Sequence, residues 1–383
     1  MQRFHRVFNL LESHQYLLMR MQLLICKLQF YPAQQDNRCR YRYIIALSRL
    51  IDVKRHTIIF GTVIGNIVAG NGNHVQLWLR NAGRAQTINE SHENTDYLPG
   101  YSLDHKLRAT TDLQEAVSAV DIIFVAVPSQ SFREVVLELR SLIAANTLVI
   151  SLTKGIEPGS FSLMSQILLE ELPDNPRGVL SGPNLAGEIA AGKVSASVIA
   201  SDLRSINSLV HDLLHCNSFL IYSSHDMFGV ELGGALKNVY AILAGVGAAL
   251  GFGENTVGML LTRSLAEMSR FAVHMGANPM TFLGLSGVGD LVVTCSSALS
   301  RNYRVGLALG KGQPLEEILG EMDQVAEGIN TLGLLKAEAD RRGVHMPLVK
   351  GLYAILYEHR PVVDVFDDMM HTEEAQDVEF VTR

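Results

Sequence analysis

From His74 to Ser223 the chain alternates short, nearly all-apolar β-branched runs with stretches of helical periodicity, and after Phe228 the alternation stops. His74–Leu79, Asp121–Val127, Thr147–Thr153, Gly178–Ser181, Ser195–Ser201 and Ser218–Ser223 read as strands. Between them, Leu113–Ala119, Gln130–Ile143, Phe161–Glu171 and Leu203–His215 read as helices. Strands that are apolar on both faces need cover on both faces, and intervening helices supply it when the sheet is mostly parallel. The fold class is therefore α/β, a doubly wound Rossmann-like parallel sheet, which holds ligands at the carboxyl ends of its strands. Beyond Phe228 the segments Gly229–Ala249, Asn255–Met275, Pro279–Leu285, Arg304–Leu309, Leu315–Leu319, Thr331–Arg342 and Leu348–Tyr357 all read as helix. An all-α domain should follow the sheet, with the site in the cleft between. A length of 383 residues suits two cores better than one.

Composition narrows the classes. A net charge of −7 argues against a general polyanion binder, so no nucleic-acid partner is expected. No run reaches the roughly 18 apolar residues of a membrane span, and Val239–Leu250, the longest, is broken by glycine and reads as a buried helix. Cys26, Cys39, Cys216 and Cys295 lack metal-ligand spacing, which points to reduced thiols, no metal and a cytoplasmic location. The first 55 residues stand apart: ten Lys and Arg face Glu12, Asp36 and Asp52 alone. Leu10–Leu28 has the Leu and Met content of an amphipathic helix without a clean cap. This start reads as an extension with no active-site role, or the product of a shifted frame; an organellar transit peptide is the other reading.

Five segments carry chemistry. Val230 to Asn238 opens a helix with Lys237 and Asn238, and small residues before them admit a close neighbour. Burial lowers a lysine pKa and makes the amine a usable proton acceptor, although most helix lysines are only solvated charges. Ser300-Arg301-Asn302 opens a helix and offers a guanidinium fork plus free N–H groups to an anion; alone, it reads more readily as a capped surface turn. Thr153-Lys154-Gly155-Ile156-Glu157 follows a strand, as does Ser181-Gly182-Pro183-Asn184-Leu185-Ala186, where ordinary turn chemistry is the plainer reading. Asp290, in Gly287-Val288-Gly289-Asp290-Leu291, reads singly as a turn aspartate.

In this order, and with Leu265-Ala266-Glu267-Met268 and Val325-Ala326-Glu327-Gly328, the chain from Phe60 to Tyr357 resembles the bacterial-type NAD(P)-dependent glycerol-3-phosphate dehydrogenases. Gly251-Phe252-Gly253-Glu254-Asn255 and Leu299-Ser300-Arg301-Asn302 resemble the bacterial branch rather than the animal one. The resemblance implies interconversion of sn-glycerol 3-phosphate and dihydroxyacetone phosphate with NAD or NADP, for glycerophospholipid synthesis. It implies Lys237 as the acid/base group. Lys154, Gly182, Asn184, Asn238, Asp290, Thr294, Ser300, Arg301 and Asn302 would hold substrate. Ile59, Phe60, Gly61, Arg80, Lys154, Ala186, Arg301, Val325 and Glu327 would hold cofactor. Asn184 stands where the family has Ser or Thr. The implied partner is a small phosphorylated substrate, and a homodimer is left open. The division is then 1–55 as an extension unrelated to the family, 56–227 as a dinucleotide-binding domain, 228–372 as the all-α substrate domain and 373–383 as a tail.

The resemblance breaks at its start. The family's Gly-Ala-Gly-Ser-aromatic-Gly-Thr loop falls on His56-Thr57-Ile58-Ile59-Phe60-Gly61-Thr62, so His56 and Ile58 replace the glycines that approach the pyrophosphate. The preceding strand would fall on Asp52-Val53-Lys54-Arg55, or be re-routed through Thr57–Phe60 with a different loop at Gly61 to Gly65. Arg80 after the second strand tolerates the 2′-phosphate of NADP. A catalytically silent remnant with impaired cofactor binding is the alternative function. A sister hydroxyacid dehydrogenase is disfavoured by Ser300-Arg301-Asn302 with Asp290.

Overall fold

The computed structural model describes residues 42–47, 55–321 and 327–370; Leu10–Leu28, Asp52–Lys54, Val325 and the 373–383 tail lie outside them. The described residues all lie in one compact unit. Its centre is an eight-stranded sheet built from β1 (Arg42–Leu47), β2 (His74–Trp78), β5 (Leu107–Thr110), β6 (Ile122–Ala126), β7 (Leu148–Ser151), β8 (Arg177–Ser181), β9 (Ser195–Ala200) and β10 (Phe219–Ser224). The order across the sheet is β10-β9-β8-β7-β6-β1-β2-β5. Every pairing is parallel except β8 with β9. A small hairpin, β3 (Glu93–Asn94) with β4 (Leu98–Ser102), stands beside it.

Strand β6 shows why the pattern reads as a two-faced sheet. Ile122, Phe124 and Ala126 enter one buried cluster with residues of β2 and β7, while Ile123 and Val125 enter another with Phe132 and Ile167. Alternate side chains leave a strand on opposite faces, so an unbroken apolar run fills two cores at once. All six expected strands are present. The hairpin and β5 were not expected; Leu98 and Leu107 are too sparse an apolar signal to stand out.

The start of the sheet differs from expectation. Arg55 does not end a strand, and Thr57–Phe60 is not one: Arg55–Gly70 is a single helix, α1. Phe60, Val63, Ile64 and Val68 are all buried along it. That spacing of three and four residues is helical, and the β-branched run before it extends the same helix. The first strand lies upstream at Arg42–Leu47, parallel to β2 on one side and β6 on the other. Part of the 1–55 segment is thus built into the sheet.

After Ser224 the described residues form helices only: α8 (Met227–Ala249), α9 (Glu254–His274), α10 (Asp290–Ser296), α11 (Arg301–Gly310), α12 (Leu315–Glu321), α13 (Glu327–Arg342), α14 (Pro347–Tyr357) and α15 (Val362–Met370). Pro279–Leu283, expected within a longer helix, is a 3₁₀ turn. Helix α8 is long and apolar enough to cross a membrane, yet it is buried along most of its length by the other helices. Asp290 sits at the first residue of α10 rather than in a turn.

Candidate active site

The carboxyl ends of β6, β7 and β8 face the amino-terminal half of α8. Thr153, just past β7, stitches two strand ends together by donating its hydroxyl to the Val127 carbonyl at 2.6 Å. Lys154 then leaves the sheet. Its ammonium donates to the Gly182 carbonyl at 2.7 Å and to Asp290 Oδ2 at 2.7 Å. From the other side, Lys237 on α8 donates to Asp290 Oδ1 and to Thr294 Oγ1, the latter at 2.7 Å. Thr294 in turn donates to the Asp290 carbonyl at 2.6 Å, which fixes its lone pairs toward Lys237.

Two lysines therefore clasp one carboxylate that is only 1 % exposed. Each ammonium has three donors and spends two on protein groups, leaving one N–H per lysine, and both lysines line the pocket. Lys237 is 6 % exposed, and its pKa is pushed down to about 7. Burial is the largest cause; Asp290 opposes it and the Lys154 charge reinforces it. The small residues before Lys237 serve the close approach expected of them. A Cβ at Gly234 would lie 2.7 Å from Ser181 Oγ, and one at Gly233 would lie 2.5 Å from the Ser286 carbonyl.

Beyond the lysines the pocket continues past Asn184, Asn238, Ser300, Arg301 and Asn302 to Phe60 and Glu327. Ser300 caps α11 by accepting from the Tyr303 N–H at 3.3 Å. Asn302 donates to Asn238 Oδ1 at 2.9 Å and accepts from the Gly328 N–H at 3.1 Å, so the Asn238 amide nitrogen is the end left toward the cavity. Burial pushes Arg301 down to about 10, with Glu327 opposing, so it remains a cation at neutral pH in a place where an anion would be welcome. Asn184 accepts from Ser197 at 2.6 Å, and its buried Nδ2 has no partner among the described residues. An orphaned donor in a pocket suits an acceptor on a ligand.

Several expected site residues lie off the pocket wall. Gly182 contributes its carbonyl to Lys154. Ala186 is in the sheet core, Ile59 packs on that core, and Gly61 is inside α1. Arg80 lies over Trp78 and 3.8 Å from Glu138 at the surface. Sequence reading missed Val127, Pro128, Leu152 and Leu185, which line the apolar side of the cavity. It also missed Ser129, which donates to Glu327 at 3.2 Å. Val127 to Ser129 follow β6 beside the point where the strand order reverses, and that position was the available signal.

Two family models match the chain. Residues 59–206 match the NAD-dependent glycerol-3-phosphate dehydrogenase N-terminus and residues 226–367 its C-terminus. A glycerol-3-phosphate dehydrogenase [NAD(P)+] of Saccharophagus degradans is 53 % identical over 320 residues, 84 % of this chain and 89 % of that one. One from Teredinibacter turnerae is 52 % identical, over 84 % of this chain and 94 % of that one. The solved glycerol-3-phosphate dehydrogenase of Coxiella burnetii superposes with a TM-score of 0.80 at 33 % identity, covering 87 % of this chain and 99 % of that one.

Proposed function

The chain belongs to the NAD-dependent glycerol-3-phosphate dehydrogenase family, and from that premise we propose how its pocket interconverts sn-glycerol 3-phosphate and dihydroxyacetone phosphate. The carrying observation is the pair of lysines on the buried carboxylate of Asp290, beside Ser300-Arg301-Asn302. NAD or NADP, when bound, supplies or removes the hydride at C2. The residues at the reacting end fit a nicotinamide: Phe60, Val127, Pro128 and Leu185 give an apolar wall, with Glu327 beyond. At the pyrophosphate end the family's glycines are absent, since the first glycine of the chain is Gly61. Ala186, Gly61 and Ile59 lie off the pocket wall and would act there by packing alone, and Arg80 would meet the adenosine ribose or its phosphate.

Lys237 gives a proton to the C2 oxygen during reduction and takes it back during oxidation. Asp290 and Thr294 hold two of its three N–H directions, so the remaining one is aimed without further ordering. Lys154 polarises the same oxygen and keeps the Lys237 amine acidic. Arg301, Asn302 and Ser300 hold the phosphate at the start of α11, where the positive end of the helix dipole adds to the guanidinium. Asn184 and Asn238 orient the remaining hydroxyl through their amide nitrogens. The reaction would supply the backbone of glycerophospholipids in the cytoplasm, and two copies of the chain would form the assembly. The reading of a silent remnant gains no support, because relatives matched over about nine tenths of their length carry the enzyme's name.

Two results test this assignment. Reduction requires the protonated Lys237, so its kcat/KM should fall as pH rises through about 7, while that for oxidation should rise through the same region. Initial rates in both directions from acid to alkaline buffer decide it, and parallel rather than opposed limbs would remove Lys237 from the proton transfer. Arg301→Ala should raise KM for dihydroxyacetone phosphate by about 10–100-fold, the worth of a charge-assisted hydrogen bond at roughly 1.5–3 kcal/mol. Hydroxyacetone, which lacks the phosphate, should be reduced about as well by variant as by parent. Equal loss on both substrates would make Arg301 a structural residue.

A further inference from the structure

Helix α5 (Met164–Glu171) adds no residue to the pocket, yet both lysine-bearing segments are fastened to it. At its amino end the Ser165 N–H donates to Glu231 Oε1 at 3.0 Å and Oε2 at 3.3 Å, and the Ser165 hydroxyl donates to Oε2. Near its carboxyl end, Glu170 and Glu171 accept from Arg133. The same guanidinium holds both oxygens of Glu157, three residues after Lys154, at 2.7 and 2.8 Å.

We propose that Glu231 is a positioning residue, whose two-oxygen grip on the first turn of α5 sets where the Lys237 helix lies against the strand ends. The proposal rests on the acid/base reading of Lys237 above. The first N–H groups of a helix have no partner within it, and Leu163, which precedes α5, has no polar side chain to cap them. Glu231 does so from another helix. Both partners are buried, and an unmatched carboxyl or amide in that place would be costly. Burial also raises the Glu231 carboxyl to about 7, so a neutral side chain with the same acceptor can stand in for it. Glu231 and Lys237 are six residues apart, roughly 9 Å along the helix axis. Between them, a Cβ at Gly234 would meet Ser181 Oγ at 2.7 Å, so the helix lies close against the end of β8 there. A slip of α8 along that contact would carry Lys237 away from Asp290 and Thr294 together.

Glu231→Ala and Glu231→Gln test this in the full chain, read by competitive acetylation of Lys237 across pH with peptide mass spectrometry, and by kcat and KM for dihydroxyacetone phosphate. The alanine variant should raise the Lys237 labelling midpoint by about one pH unit or more, because a displaced amine regains solvent. Its kcat should fall by about 10–100-fold, the usual cost of an ångström of misplacement, while KM moves less than about threefold because the phosphate is held on α11. Glutamine keeps an acceptor for the Ser165 N–H and a donor for its hydroxyl, and should restore both values. If the alanine variant does not fold, Ser165→Ala removes one bond and should shift the midpoint the same way by a smaller amount. An unmoved midpoint and kcat, or equal failure of the alanine and glutamine variants, overturns the positioning role. A parent midpoint at the ordinary lysine value overturns the acid/base reading itself, and the two failures are told apart before any variant is made.

Discussion

Replacing Lys237 with methionine is expected to lower the rate of dihydroxyacetone-phosphate reduction by about 10²–10⁴, the range for loss of a positioned acid/base group. Methionine is close to lysine in length and apolar, so it fills the buried slot on α8 without opening a cavity. Removing one cation from a buried cluster often unfolds a protein by leaving its counter-charge bare. Here Asp290 keeps Lys154 at 2.7 Å on its second oxygen, and Thr294 still donates to the Asp290 carbonyl. The variant should therefore melt within a few degrees of the parent while the rate collapses. Rates at matched NADH, set beside thermal melts of both proteins, separate chemistry from folding. A variant that keeps most of the parent's turnover would mean that another group moves the proton.

The second large effect concerns NADH. The chain is expected to bind it several orders of magnitude more weakly than a relative with the family's glycine loop, because two or three backbone contacts to phosphate, at about 1.5–3 kcal/mol each, depend on those glycines. His56 and Ile58 stand at the glycine positions, within the first turn of α1. The position of β1 also defines the repair. In the family the loop follows its strand directly, whereas here Ser48 to Ile59 separate Leu47 from Phe60. Exchanging Ser48–Ile59 for Gly-Ala-Gly-Ser rejoins the strand to Phe60 and should recover tight binding. Calorimetric titration of both proteins with NADH gives the comparison. Micromolar affinity in the unaltered chain would show that Ser48 to Ile58 meet the phosphates by other means.

The sheet was legible because two-sided burial leaves unbroken apolar runs, as in Ile122–Ala126, and the helical C-terminal part because α8 is apolar nearly throughout. Lys154, Lys237, Asp290 and Thr294 could be named singly, but not the shared carboxylate, since Asp290 is 53 residues from Lys237 and 136 from Lys154. Contacts across such separations leave no local periodicity. The same holds for Glu231 and Ser165. At the start of the chain, a β-branched run was misleading in both directions: Thr57–Phe60 is helical, and the buried stripe of that helix runs through Phe60, Val63, Ile64 and Val68. Tyr43–Ala46 is a strand because it pairs on both sides, a fact that no window of that length contains.

The placement of β1 has a further consequence for how such a protein changes over generations. The strand fills the seam between β2 and β6, and among the described residues the two halves of the sheet are paired through nothing else. It comes from residues that precede the family match at 59, yet the backbone superposition reaches 99 % of the Coxiella chain. A seam strand needs the reach, pairing groups and branching of a short apolar run, requirements that many unrelated segments meet. The glycine turn behind it needs particular residues at particular steps. Scaffold and cofactor grip, though adjacent along the polypeptide, are heritable separately: new sequence can be grafted into the seam and keep the architecture while the turn goes astray.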